Sequence, residues 1–419
     1  MKYQTKLLEE EQALREQFDE YKNLGLKLDM SRGKPCPEQL DLSKDILSIV
    51  SNQNAYLGKS KVDCRNYGLL DGIPEMKKIL APLFGVQEKN VMVGGNSSLG
   101  LIFDTISCFM THGVCEQKPW KTGKVKFLCP VPGYDRHFTI LQYFNIEPIC
   151  IPLNEAGPDM NMVEKLISED PSIKGIFCIP KYSNPTGITY QDETVKRLSK
   201  LHPAAKDFRI FWDNAYAVHD IREKGDTLLN IMDECIKNGN ENFPIIFGST
   251  SKITYPGAGV AAVAASEQNL KQMKKHWSAR TIGFDKINQL RHALFFKSYD
   301  GIISHMKEHR KILEPKFDVT LKVLRENLDG IATWTSPNGG YFISVDVMPG
   351  CAKKVVAMCK EAGVVLTPAG ATYPFGMDPH DSNIRLAPTY PPIDELKKSM
   401  EVFCVATKLC AIEKLRLEV

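Results

Sequence analysis

Lys252 closes the segment Ser249-Thr250-Ser251-Lys252, which follows directly on the apolar run Pro244-Ile245-Ile246-Phe247. An apolar run followed at once by small hydroxyl residues and a lysine places an amine at the carboxyl end of a buried strand, the edge at which open α/β sheets bind ligands. Two further runs end in the same manner. Ile176-Phe177-Cys178-Ile179-Pro180 leads to Asn184-Pro185-Thr186-Gly187, and Phe208-Arg209-Ile210-Phe211-Trp212 leads to Asp213-Asn214-Ala215-Tyr216. Three successive strand ends thus carry an amide, a carboxylate with a phenol, and an amine.

That set matches the needs of pyridoxal 5'-phosphate, for which a protein supplies attachment, orientation and electrostatics. An amine must hold the cofactor's aldehyde and then act as base and acid on the substrate's α proton; Lys252 fits this catalytic role. A carboxylate must keep the pyridine nitrogen protonated, a place that suits Asp213, whose competing role is a helix N-cap before Asn214. Asn184 and Tyr216 can donate to the ring's phenolate oxygen, although Asn184 to Gly187 also reads as a simple turn. The phosphate calls for backbone N–H groups at a helix start. Val91-Met92-Val93 followed by Gly94-Gly95-Asn96-Ser97-Ser98 meets this before a helix from Leu99 to Phe109, with Gly95, Asn96 and Ser97 as the cofactor-binding residues. Ser249 and Ser251 add hydroxyls beside the lysine. Tyr134, in Cys129-Pro130-Val131-Pro132-Gly133-Tyr134, is the aromatic for the ring face, its alternative being a core tyrosine. A substrate carboxylate calls for a bidentate arginine. Arg385 lies among apolar neighbours in Ser382-Asn383-Ile384-Arg385-Leu386-Ala387, where an unpaired charge is costly, so it awaits a ligand or a fixed acidic partner.

The elements that must position these residues are legible in outline. Leu7 to Leu24 reads as a helix, with Leu7, Leu8, Leu14, Phe18 and Tyr21 near one face. From Ser48 to Ile303 short β-type runs alternate with helical ones, the pattern of a mainly parallel sheet covered on both faces. A long helix is expected from Ile303 to Asn327. Strands follow at Tyr341 to Val345 and Gly363 to Thr367, then a closing helix from Asp394 to Lys414. The 419 residues exceed one ordinary core.

Composition removes several function classes. With 53 Lys+Arg against 50 Asp+Glu there is no clustered basic character of a nucleic-acid surface. Apolar stretches such as Gly259 to Ala265 fall short of the roughly 20 residues of a membrane helix. The amino-terminal residues show neither an apolar signal core nor an Arg-rich transit character, so a cytoplasmic location is expected. The 12 cysteines lack zinc or redox spacing, and Cys129, Cys150 and Cys178 lie inside apolar runs; free buried thiols are expected.

With Tyr67 in Asn66-Tyr67-Gly68-Leu69-Leu70-Asp71-Gly72, the order Tyr67, Asn184, Asp213, Tyr216, Lys252, Arg385 resembles fold-type I pyridoxal-phosphate enzymes, and within them class I aminotransferases of the aspartate aminotransferase kind. The resemblance spans Ser31 to Ala387. It implies an α/β fold: a large cofactor-binding domain over residues 48–303, holding a mainly parallel seven-stranded-type sheet covered by helices, and a smaller α+β domain from residues 1–47 and 304–419. It further implies a homodimer with shared active sites, because the tyrosine at the Tyr67 position reaches the phosphate in the partner subunit's site. Ser31 to Pro35 and Ser251 to Gly259 resemble a less common bacterial-type branch, and Gly33 is carried over with Arg385 as substrate-binding. The chain departs from the family in lacking an arginine after the lysine within Pro256 to Val260, so Arg280, Lys34 or neutral donors alone must serve the phosphate. Pro132 aligns with the stacking position directly, Tyr134 after a one-residue shift. The expected activity moves an amino group between an acidic amino acid, aspartate or glutamate, and a 2-oxo acid. A lyase or synthase on the same scaffold is one alternative. A ligand-sensing regulator is another, against which the roughly 30 residues before the motifs are too few and too acidic for a DNA-binding module.

Overall fold

Alternation of apolar side chains between two faces builds the central sheet, and both faces are buried. The computed structural model describes residues 2–51 and 55–418. In chain order, β1 (Leu28–Asp29), β2 (Val91–Val93), β3 (Lys126–Val131), β4 (Glu147–Asn154), β5 (Gly157–Pro158), β6 (Ile173–Cys178), β7 (Arg209–Asp213), β8 (Pro244–Ser249) and β9 (Ala261–Ala265) precede a long helix at Tyr299–Leu328. After it come β10 (Thr333–Trp334), β11 (Ile343–Asp346), β12 (Val364–Val365) and β13 (Asn383–Leu386). The main sheet has the order β2-β9-β8-β7-β6-β3-β4-β5. Strands β8, β7, β6, β3 and β4 run parallel, while β9 is antiparallel to both neighbours. Seven strands match the expected sheet. The eighth, β5, is a two-residue antiparallel addition to β4, too short to show as an apolar run.

Period-two alternation sorts the side chains. Ile210 and Trp212 of β7 enter one core and Phe211 the other; Val91 and Val93 of β2 lie opposite Met92. Helices Pro74–Phe84, Met160–Glu169 and Asp192–Ser199 close the first face, and Ser98–His112, Asp135–Tyr143 and Glu267–Arg280 the second. Strand order reverses about β3, with β4 on one side and β6 on the other. Such a switch point opens a crevice at the carboxyl ends of the strands.

A third core gathers Phe18 and Tyr21 of helix Lys2–Asn23 with side chains of Tyr299–Leu328, Ala352–Glu361 and Ile393–Glu418. Beside it, β10, β11 and β13 form an antiparallel sheet, and β1 pairs in parallel with β12. The long helix begins four residues before its expected start, at a cap where Ser298 accepts from the Gly301 N–H. Tyr341 and Phe342 fall outside β11, because the preceding Gly339 and Gly340 pack their backbone against Tyr182. The twelve cysteines are free thiols, but Cys150 is exposed rather than buried. It alternates with buried Ile151 on β4, which has only two-residue β5 between it and the sheet edge. Among the described residues no helix is long and apolar enough to cross a membrane.

Candidate active site

Asp213 is the last residue of β7 and is 2 % exposed. Its Oδ2 lies 3.1 Å from His137 Nε2, and an ionised carboxylate only accepts, so the imidazole is the donor. His137 is itself held by stacking on Phe177, with ring centroids 4.4 Å apart and planes at 16°. The other oxygen, Oδ1, is buried with no partner. A buried acceptor left unpaired costs about 1–3 kcal/mol, so a donor is missing at this place. A protonated ring nitrogen would satisfy it. The helix-cap alternative for Asp213 is overturned: residues 215–218 form a turn rather than a helix.

Around the carboxylate the structure assembles most of the expected residues. The Lys252 ammonium lies 4.9 Å from the centroid of the Tyr216 ring. Burial pushes the Tyr216 phenol far above its ordinary pKa, against the pull of the Arg385 charge, so it keeps its proton as a hydrogen-bond donor. Tyr134 is pushed up to about 12, chiefly by burial and against the pull of the Lys252 charge. Its ring packs edge-on to His137 at 5.1 Å. The Lys252 carbonyl accepts from Tyr341 Oη at 3.2 Å, and Gln39 Nε2 donates to that hydroxyl at 2.9 Å.

The loops expected to hold the phosphate meet where β2 and β8 end. Gly95 adopts φ +72°, a left-handed conformation that glycine reaches without strain. Ser97 caps helix Ser98–His112 by accepting from the Gly100 N–H. Ser249 Oγ donates to Ser251 Oγ at 2.9 Å, which donates to the Asn96 carbonyl at 2.8 Å, so both loops are tied into one rim. Gly259 lets the chain pass against Asn96 and Ser251, since a Cβ there would sit 3.1 Å from atoms of each. Of the two cations considered for this place, Arg280 pairs with Asp104, and the Lys34 ammonium sits 3.8 Å from the Tyr390 ring centroid.

Arg385, on β13, is 6 % exposed. Its Nη1 donates to Asn184 Oδ1 at 3.2 Å and to Asp135 Oδ1 at 3.1 Å, and its guanidinium lies 4.8 Å from the Phe342 ring centroid. Gly33 backs that ring so closely that a Cβ would overlap it. Both anticipated fates of Arg385 therefore meet: it has an acidic partner, and its Nε remains buried and unpaired. Tyr67 stands apart from this cluster on the surface, 80 % exposed.

Two residues of the site escaped the sequence reading. His137 follows Tyr134 by three positions, one helical turn, and that spacing was the available signal. Asp135 had none, because its partner is 250 residues away.

Comparison with known proteins identifies the family and the fold. Residues 3–418 match the aspartate amino-transferase family model. An aspartate aminotransferase of Corynebacterium glutamicum is 44% identical over 404 residues, covering 96% of this chain and 93% of the relative. The crystal structure of an aspartate transaminase from the same organism superposes with TM-score 0.95 at 43% identity, covering 98% of this chain and 97% of that one. LysN, an α-aminoadipate aminotransferase of Thermus thermophilus solved with N-(5'-phosphopyridoxyl)-L-leucine, shares the fold at TM-score 0.75 and 19% identity, over 94% of each chain. The chain belongs to the aspartate aminotransferase family and is an aminotransferase of the fold-type I class. Aminotransferases of this fold depend on pyridoxal phosphate, and the match to aminotransferases at 43–44% identity, rather than to a lyase or a regulator, supports transamination.

Proposed function

We propose that this aminotransferase binds pyridoxal 5'-phosphate on Lys252 and exchanges the amino group of aspartate or glutamate with a 2-oxo acid. The observation that carries the cofactor reading is the orphaned Asp213 Oδ1. The acidic-donor reading is supported by the identity to the Corynebacterium glutamicum aspartate aminotransferase. When bound, the cofactor supplies an electron sink for charge developing at the substrate's α carbon. Asp213 holds the proton at the ring nitrogen, and His137 orients Asp213. Asn184 and Tyr216 donate to the ring's oxygen, while Tyr134 covers the ring face. Lys252 takes and returns the proton at the α carbon. The N–H groups of Gly95, Asn96 and Ser97, with the hydroxyls of Ser249 and Ser251, hold the phosphate. Arg280 and Lys34 each already have a partner, Asp104 and the Tyr390 ring, which favours these neutral donors. Profiling amino donors against 2-oxoglutarate tests the substrate class; a preference for neutral or aromatic donors over aspartate and glutamate would sink it.

Arg385 binds the α-carboxylate in this reading, with Gly33 and Phe342 supporting the guanidinium from behind. Arg385→Lys is expected to lower kcat/KM for amino donor and oxo acid alike, about 10- to 100-fold, because an ammonium cannot make two parallel bonds to a carboxylate. Steady-state kinetics of both half-reactions check this. A loss confined to dicarboxylic substrates would make Arg385 the reader of the side-chain carboxylate instead.

The working unit is proposed to be a cytoplasmic homodimer of two-domain chains, residues 48–303 forming one domain and 1–47 with 304–419 the other. Exposed Tyr67, Leu69 and Ile282 support a partner surface, since Gly283 packs against the Gly68 carbonyl and so brings the two loops together. Mixing inactive Lys252→Ala chains with impaired Tyr67→Phe chains should restore activity, since one site of each heterodimer then has both residues intact. Sedimentation of an active monomer at assay concentration would refute the shared site.

A further inference from the structure

Arg385 is satisfied on one edge only. Nη1 donates to Asp135 and Asn184, Nη2 reaches Thr367 Oγ1 at a long 3.4 Å, and Nε has no partner. A buried guanidinium needs a negative charge nearby. Among the described residues the carboxylate paired with it is Asp135, and it engages through a single oxygen. A substrate carboxylate offering two parallel bonds is the stronger partner. Asp135 also has a favourable place to retreat to. It is the first residue of helix Asp135–Tyr143, whose N-terminus favours a carboxylate. Its Oδ2 lies 4.0 Å from Arg136 Nε, and its side chain is 33% exposed, so a second cation and water are at hand. Displacing Asp135 from Arg385 therefore strands neither charge.

From these contacts we propose that Asp135 is an internal competitor for the substrate's carboxylate seat on Arg385. It pairs with the guanidinium between turnovers and yields to each incoming carboxylate, which sets a limit on affinity common to amino donor and oxo acid. The proposal rests on Arg385 being the α-carboxylate site. A seat free for only a fraction of the time weakens apparent affinity by that fraction, so a seat open about a tenth to a third of the time corresponds to a gain of about three- to tenfold when the competitor is removed.

The test uses holoenzyme, comparing wild type with Asp135→Asn. Two unreactive carboxylates, propionate and succinate, are titrated as inhibitors, and KM is measured for amino donor and 2-oxoglutarate. All four constants are expected to fall together, by about three- to tenfold. Succinate should also raise the melting temperature of Asp135→Asn more than that of wild type, a readout independent of turnover. Asp135→Ala should change in the same direction; a gain confined to the asparagine variant would indicate a new hydrogen bond and overturn the competition. Constants unchanged or raised in Asp135→Asn, with propionate still competing in wild type, would overturn it as well. If propionate fails to compete in wild type and Arg385→Lys leaves KM unaltered, Arg385 is not the seat and the proposal falls with that reading.

Discussion

Lys252→Ala is expected to leave a folded protein whose transamination rate is about 10⁴-fold lower, because one substitution removes both the amine that holds the cofactor and the group that moves the α proton. The lysine is half-buried at the end of β8, its backbone carbonyl held by Tyr341 and its ammonium placed 4.9 Å from the Tyr216 ring centroid. No core residue changes, so the melting temperature should shift little beyond the loss of cofactor binding. The purified wild type is expected to be yellow, and borohydride reduction followed by peptide mapping should find the cofactor on Lys252. In Lys252→Ala the reducible visible band should be lost. Recovery of the reduced cofactor on Lys181, Lys286 or any other lysine would overturn the assignment.

What was legible in the sequence follows from how strands end. The runs ending at Trp212 and Phe247 are apolar on both faces, so the polar residues just beyond them had to mark the sheet's carboxyl edge, where Asp213 and Lys252 lie. Their mutual arrangement was less accessible, since strand order is a tertiary property: β7 and β8 are neighbours, but β3, which leads into the turn holding Tyr134, lies beyond β6. The Asp135–Arg385 pair joins a helix start to a strand of the other sheet, and nothing local in either segment announces it. His137 was missed because a lone histidine on a helix beside Phe138 has the pattern of an ordinary core position. Gly33 came only through resemblance; the physical reason for a glycine, the Phe342 ring lying against its α carbon, involves residues over 300 positions apart. Cys150 failed for the opposite reason, because apolar neighbours in sequence do not guarantee that both faces of a strand near the edge are covered.

Asp213→Ala is expected to lower kcat by about 10²- to 10⁴-fold with cofactor still bound, the range for removing a preorganised electrostatic group worth several kcal/mol. The carboxylate is rigid before anything binds: Oδ2 is held at 3.1 Å by His137, which is clamped against Phe177, and Oδ1 is left bare. Water does not reach that oxygen, so the interaction with a ring N–H is made at low dielectric, where it is stronger and where losing it costs more. Asp213→Asn is nearly isosteric but should be almost as damaging. Its amide has one acceptor oxygen for two donors, His137 Nε2 and the ring nitrogen, and its NH₂ would face whichever is left. Attachment through Lys252 and the phosphate rim does not involve Asp213, so cofactor content measured by absorbance after dialysis should stay near that of wild type in both variants. The diagnostic result is therefore a split, with cofactor retained and turnover lost. Near-normal kcat in Asp213→Ala would show that the buried carboxylate serves only to pair His137, and the catalytic assignment would have to move away from β7.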